Sequence, residues 1–237
     1  MANHVNDTRK RIGIITGSGP DAGLDMWQKI LKANKAIQGD RYTGDLDAPE
    51  VVIMSIPALG LSMELEKNND EVWHSLSQTA SKLAEHTDYY AIACNTLNYY
   101  QPQLEGLGLK STLVSFPDVV SDRVLNSGLK KVALLGAKPV TDLGDWSPYR
   151  KLLDAVELET PVQPEKLHQL IYDVKAYGGD HPAVIEQFTE LLSNLEADVV
   201  LLACTELPLI PVVSTKDLID VTDLVAAVLA ERSLAIN

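Results

Sequence analysis

The chain has 237 residues, 46% of them apolar and 22% charged; at roughly 100 to 200 residues per domain this allows one large domain or two small lobes sharing a core. The balance is that of a folded globular protein and excludes disordered, collagen-like and coiled-coil chains. Twenty basic against 33 acidic residues leave a net charge of −13, which repels phosphate backbones and anionic headgroups, so neither nucleic acid nor membrane is an expected partner. No apolar stretch approaches the roughly 18 residues that span a bilayer, and the opening MANHVNDTRKR lacks the apolar segment of a secretory signal; a cytoplasmic protein is expected.

In chain order, short apolar runs rich in β-branched residues occur at 12–15 (IGII), 51–54 (VVIM), 89–93 (YYAIA), 112–115 (TLVS), 132–135 (VALL) and 199–203 (VVLLA). Continuous rather than alternating apolarity predicts strands buried on both faces of a parallel sheet. Between them lie helical stripes: Leu24, Trp27, Ile30 and Leu31; Val72, Leu76, Ala80 and Leu83; Leu167, Leu170, Ile171 and Val174; and Val184, Phe188, Leu191 and Leu195. Strand and helix in alternation predict an α/β fold of right-handed crossovers with doubly wound, mainly parallel sheets.

The two halves repeat each other weakly. Arg11 to Gly17 resembles Lys131 to Gly136, and Asp88-Tyr-Tyr-Ala-Ile-Ala-Cys94-Asn95-Thr96 resembles Asp198-Val-Val-Leu-Leu-Ala-Cys204-Thr205-Glu206. The chain's only two cysteines therefore occupy equivalent places. This predicts two pseudo-symmetric lobes with the site in the cleft between them: residues 1–99 plus 210–237 in the first, completed by a C-terminal helix over 224–231, and 100–209 in the second.

Ligands of open α/β sheets bind beyond the carboxyl ends of the strands, where both cysteines stand. Singly, each reads as an inert buried thiol. As a pair on facing lobes they can reach one ligand from opposite sides, which suits inversion of a carbon centre: one group removes a proton from one face while the other delivers a proton to the opposite face. A thiol, with an ordinary pKa near 8.5, does this only if neighbouring dipoles or charges adjust it.

ACNT at 93–96, ACTELPLI at 203–210 and the opening IGIITGSGPDAG at 12–23 closely resemble the cofactor-independent aspartate/glutamate racemase family, whose motifs run C-N-T, G-C-T-E and G-G-x-G-P-x-A-T. Further echoes lie at LLGAKPV (134–140), around Tyr149 and at Ile171-Tyr172-Asp173. The resemblance implies an isomerase that interconverts L- and D-amino acids with no pyridoxal phosphate, no metal and no other cofactor, taking a small amino acid as substrate and forming a homodimer. It implies Cys94 and Cys204 as the two bases, Asn95, Thr96 and Thr205 on the α-carboxylate and amino group, and Ser18 facing the ligand. Lys175 corresponds to a substrate-binding lysine of some members, and Glu206 to a residue that orients its neighbours rather than touching substrate.

The chain departs from that pattern at Gly23, where the family has threonine, at Ala137, the usual LGT threonine, and at Asn98, the usual histidine. No Arg or Lys falls between Glu50 and Glu66, where some aspartate racemases carry an arginine for the side-chain carboxylate; Arg41, Lys138, Arg150 and Lys175 are the other candidate cations. Aspartate or glutamate is the substrate expected, with another amino acid, or a related cysteine-dependent isomerase or decarboxylase of diacids, as the alternative.

Two further readings compete with it. Gly17-Ser-Gly-Pro-Asp-Ala22 formally fits the dinucleotide fingerprint G-x-G-x-x-A, but Pro20 removes a backbone N–H that an anion would need there. A two-lobed protein could also bind an amino acid without reacting it, which would not require both cysteines. The histidines His4, His74, His86, His168 and His181 show no metal-ligand spacing. Trp27 is expected in the core, Trp73 at the surface, Tyr99 and Tyr100 in packing, and the acids of 40–50 in solvated loops.

Overall fold

The computed structural model describes residues 9–234; residues 1–8, His4 among them, and 235–237 lie outside the described residues. Two four-stranded sheets, parallel throughout, organise the chain. The first takes β1 (Ile12–Thr16), β2 (Val51–Ser55), β3 (Tyr89–Ile92) and β4 (Thr112–Leu113) in the order β2-β1-β3-β4. The second takes β5 (Lys131–Leu135), β6 (Glu157–Glu159), β7 (Val199–Leu202) and β8 (Asp217–Asp220) in the matching order β6-β5-β7-β8. The expected repeat is thus a repeat of topology.

Helices α1 (Pro20–Gln38), α2 (Leu65–Ala84) and α3 (Gln101–Gly106) connect the first set, and α4 (Phe116–Ser127) leads out of it. Helices α5 (Lys138–Thr141), α6 (Pro164–Tyr177) and α7 (Pro182–Ser193) connect the second, and α8 (Val221–Leu234) ends the described chain. Proline in the first turn starts α1, α3, α4, α5, α6 and α7, where its missing N–H costs nothing. The start of α4 is also capped by Ser115, whose hydroxyl accepts the Asp118 N–H, and it stops at Gly128 in the left-handed region.

The edge strands β6 and β8 went unpredicted because ELE and DLID carry charge at alternate or flanking positions, as edges facing water do. By sheet membership β4 belongs with the first lobe and β8 with the second. The run TLVS announced a strand but not its partner, and a strand's sheet is decided by which neighbour can complete its hydrogen bonds. Helix α8 returns to the first lobe, packing along α1 and β3 and touching α4.

One apolar cluster runs through both lobes: Ile12, Ile14, Met26 and Ile30 on one side, Val132, Leu134 and Tyr149 on the other, with Phe116, Val120, Val221, Val225 and Leu229 among them. Two further clusters back the individual sheets. The stripe predicted for α1 is rotated: its buried positions are Ala22, Gly23, Met26, Ile30, Asn34 and Gln38, while Leu24 is 57% and Trp27 40% exposed. Counting large apolar residues picked the wrong face, because small and polar residues fill the contact with α8 and the Asp47 carbonyl. The other three stripes face inward as expected, with Leu191 only partly buried. Trp73 stacks on buried Tyr100 at 5.3 Å between centroids and is not a free surface residue.

An ion cluster clips the lobes together at the α1 side. The Lys29 ammonium pairs with Asp25 on its own helix and with Asp220 at the end of β8, all three largely buried. Burial pulls the Lys29 pKa down, but the two carboxylates outweigh it and leave it raised. Removing the cation strands two carboxylates, so Lys29→Met is expected to lower stability by about 3 kcal/mol. Urea denaturation of both proteins at neutral pH measures the difference.

Candidate active site

The carboxyl ends of β3 and β7 are built alike. The Ala93 N–H donates to the Ile15 carbonyl at 2.8 Å and the Ala203 N–H to the Leu135 carbonyl at 2.7 Å, so each ladder runs one residue past its strand and then releases a cysteine. Cys94 and Cys204 are both free thiols, half-buried and buried respectively. The chain turns directly afterwards into short 3-10 stretches, Thr96–Tyr100 and Leu207–Leu209.

Hydrogen bonds across the cleft bring the two ends together. The Thr205 hydroxyl, in the second lobe, donates to the Ala93 carbonyl of the first at 3.4 Å. Tyr149, fully buried, donates its hydroxyl to Asn95 Oδ1, and the Lys175 ammonium donates to the Ser18 carbonyl. At the cleft's rim His168 Nε2 lies 3.3 Å from Glu64 Oε1 while its Nδ1 accepts the Lys138 N–H at 3.1 Å.

The two thiols have different neighbours. Cys94 Sγ lies 3.8 Å from Ser62 Oγ, a buried hydroxyl on the 3-10 segment after β2. Cys204 donates its S–H to Glu206 Oε2 at 3.0 Å, and the Thr205 hydroxyl, sharing its one proton with the Ala93 carbonyl, reaches the same oxygen at 3.2 Å. The other oxygen, Oε1, receives the Lys175 ammonium. Burial pushes the Cys204 thiol well above its ordinary pKa and the Glu206 carboxylate pushes it further, with Lys175 pulling back. Burial works against the Lys175 charge, yet Glu206, Cys204 and Cys94 leave its pKa raised. One ammonium therefore feels both thiols. The Tyr149 hydroxyl does too: burial first, then the charges of Cys204 and Cys94, raise its pKa well above that of free tyrosine.

Of the residues expected at the site, Ser18 (through its carbonyl rather than its hydroxyl), Lys175, Glu206, Cys204 and Thr205 are joined by hydrogen bonds, while Asn95 is bonded to Tyr149 and the Cys94 thiol lies beside Ser62. Thr96 is buried at the start of the 3-10 turn. Among the four candidate cations only Lys175 reaches the thiols. Arg41 lies exposed in the 3-10 turn that follows α1, Arg150 pairs with exposed Asp145, and exposed Lys138 offers its backbone to His168.

Two of the departures from the motif, at Gly23 and Asn98, have local compensations. A Cβ at Gly23 would sit 2.5 Å from the Thr16 hydroxyl, which itself donates to the Gly19 carbonyl at 3.0 Å; the Thr16 side chain takes the space a side chain at position 23 would need. Asn98 donates its amide to the Cys94 carbonyl at 2.9 Å and accepts the Phe116 N–H at 3.0 Å, tying the cysteine loop to α4. Gly17, at φ +115°, allows the first loop to pass the Ile56 backbone, where a Cβ would be 2.3 Å from the carbonyl carbon.

Tyr149 and Ser62 were not predicted as site residues. Tyr149 occurs within a motif echo but carries no reactive pattern of its own, and Ser62 has no sequence signal at all. Asn95 Nδ2 is buried without a partner, because Tyr149 holds the carbonyl end of that amide. The result is a buried hydrogen-bond donor without a partner in the protein, on the residue that follows Cys94, and an acceptor from a ligand would satisfy it. Among the described residues no group of three or more His, Cys, Asp and Glu is disposed to hold a metal ion, and no helix is long and apolar enough to cross a membrane. The first loop offers no nucleotide seat, since the Glu206 carboxylate lies over Gly19. A groove of about 480 Å³ opens on the far side of Tyr149, between Tyr99, Pro117, Arg150 and Leu153, and neither cysteine lines it.

The Asp/Glu/Hydantoin racemase family model matches residues 15–231. The chain belongs to that family. It is accordingly an isomerase, an amino acid racemase. Solved structures share its fold: an aspartate racemase of Picrophilus torridus at TM-score 0.80, with 24% identity over 94% of each chain; an aspartate racemase homologue of Pyrococcus horikoshii at 0.69, with 24% identity over 94% of this chain and 99% of that one; and a glutamate racemase of Francisella tularensis in complex with D-glutamate at 0.67, with 17% identity over 94% of this chain and 81% of that one. Comparison with curated proteins returned no match.

Two outcomes are expected of this racemase site. Iodoacetamide at neutral pH modifies Cys94 well before Cys204, whose rate climbs only as pH rises toward its elevated pKa; in Lys175→Met that climb moves to still higher pH, because the one cation lowering it is gone. Peptide mass spectrometry of a time course at several pH values reads both. Tyr149→Phe releases the Asn95 amide from its fixed orientation and lowers kcat/KM about tenfold to a hundredfold, as measured by steady-state racemisation.

Proposed function

We propose that this racemase interconverts the L- and D-enantiomers of an acidic amino acid, aspartate or glutamate, by two-base proton transfer between Cys94 and Cys204 and without a cofactor. One observation carries the reading: two free thiols stand at equivalent strand ends of two sheets of matching topology, and the Lys175 ammonium is linked to one of them, Cys204, through the Glu206 carboxylate. The aspartate and glutamate racemases that share the fold, one of them holding D-glutamate, support the acidic substrate class.

In this mechanism the thiolate of one cysteine takes the α-proton. Its S–H bond forms, the C–H bond breaks, and the electron pair passes into the α-carboxylate. The thiol on the opposite face then gives its proton to the α-carbon, and the opposite enantiomer leaves. The reverse direction exchanges the two roles. Asn95 supplies its unpartnered Nδ2 donor to the α-carboxylate, with Thr96 and Thr205 beside it, Ser18 closes the cleft from the first loop, and Lys175 takes the side-chain carboxylate. Glu206 acts on Cys204 and Lys175 rather than on substrate. The enzyme works in the cytoplasm as a homodimer.

Proton NMR in D₂O with L-Asp, D-Asp, L-Glu and D-Glu in turn tests this, alongside Cys94→Ser and Cys204→Ser. The expected result is loss of the α-proton signal with inversion for at least one pair, and inversion slowed about 10²- to 10⁴-fold in each variant while ligand affinity persists. Silence with all four compounds rejects the acidic substrates. Inversion undiminished in either variant rejects the two-thiol mechanism, and affinity without turnover in the wild type leaves a binding protein.

A further inference from the structure

Resting on that reading of the cleft as an acidic amino acid site, we infer that Glu206 is an internal stand-in for the substrate's side-chain carboxylate: it occupies the ammonium of Lys175 when the cleft is empty and yields it when a diacid enters.

The observations are geometric. The Glu206 side chain is buried, at 6% exposure, and its two oxygens are used separately: Oε1 by Lys175, Oε2 by the Cys204 S–H and the Thr205 O–H. The carboxylate lies directly against the first loop. A Cβ built on Gly19 would be 2.0 Å from Oε1 and 3.1 Å from Lys175 Nζ, so this glycine is what lets the pair sit there. The space beside Gly19 in the first loop is filled by the protein's own carboxylate from the other lobe. Lys175 is the more accessible partner, at 22% exposure, and bridges to the Ser18 carbonyl across the cleft.

The charge count then forces a competition. An acidic amino acid brings two carboxylates and one ammonium, while the cleft offers one cation that is already neutralised. Two carboxylates against one ammonium in a buried site repel, and one must give way. Glu206 can, because Oε2 keeps the Cys204 and Thr205 donors after Oε1 loses Lys175. Lys175 exchanges one carboxylate for another, with no bond made or broken and no proton moved. Glu206 is thus a positioning residue with two contacts to keep, one setting substrate affinity and the other holding the Cys204 thiol.

Removing the negative charge at this position is therefore expected to tighten binding of a diacid while slowing catalysis, whereas a residue that merely supported the fold would loosen binding when changed. The probe is malonate, a dicarboxylate with no stereocentre, titrated calorimetrically into wild type and Glu206→Gln. Its dissociation constant is expected to fall about tenfold in the variant, and with a racemised substrate KM and kcat are expected to fall together. Gly19→Ala is the second variant. Its backbone, at φ −163°, accepts alanine, and the added methyl expels the Glu206 carboxylate from Lys175, so malonate again binds more tightly. Unchanged or weaker malonate affinity in E206Q, or in G19A should E206Q not fold, overturns the inference, as does an absence of malonate binding to wild type and variants alike. Because malonate binding needs no turnover, tighter binding in a protein that racemises neither aspartate nor glutamate would uphold the carboxylate exchange while rejecting those substrates.

Discussion

The apolar layer shared by the two sheets sets the position of everything at the cleft. Ile12 and Ile14 of the first sheet and Val132 and Leu134 of the second belong to one continuous cluster, with α8 returning from the end of the second sheet to lie along α1. At about 1.5 to 3 kcal/mol for each large apolar side chain fully buried, this layer outweighs the polar contacts across the cleft, each worth about 1 kcal/mol net. The bonds from Thr205 to Ala93 and from Tyr149 to Asn95 therefore align two strand ends that hydrophobic burial has already brought face to face.

Equivalent backbones do not make equivalent thiols. The ladders through Ala93 and Ala203 deliver the cysteines in the same way, yet one sits half-buried beside a hydroxyl and the other is buried against a carboxylate that accepts its proton. Pseudo-symmetry in the fold supplies two thiols at equivalent strand ends. The loops, which are not symmetric, decide how each group holds its proton. This division suits a racemase, where the two faces of the carbon need the same kind of group but never the same protonation state at the same moment.

The departures from the family pattern follow the same logic of local packing. Thr16 fills the space that Gly23 leaves, and Asn98 ties the Cys94 carbonyl to the start of α4, so altered residues still support the loop that carries the cysteine. The absence of a basic residue after β2 is a different matter. It leaves Lys175 as the cation at the thiols, and the protein's own Glu206 already holds it.

The residue order by itself determined the alternation of buried strands and amphipathic helices, the internal repeat, and the equivalent places of Cys94 and Cys204 in its two halves, because continuous β-branched runs, helical spacing and duplicated motifs are one-dimensional signals. The edge strands β6 and β8 escaped it, since their charged sequences satisfy water as readily as a sheet. The face of α1 was misassigned because a helix turns its small residues inward when another helix must come close. Tyr149, Ser62 and the seat of Glu206 over Gly19 were decided by the tertiary structure alone. Each depends on residues distant in the chain meeting within hydrogen-bond reach, and that follows only from how two sheets pack through a common core.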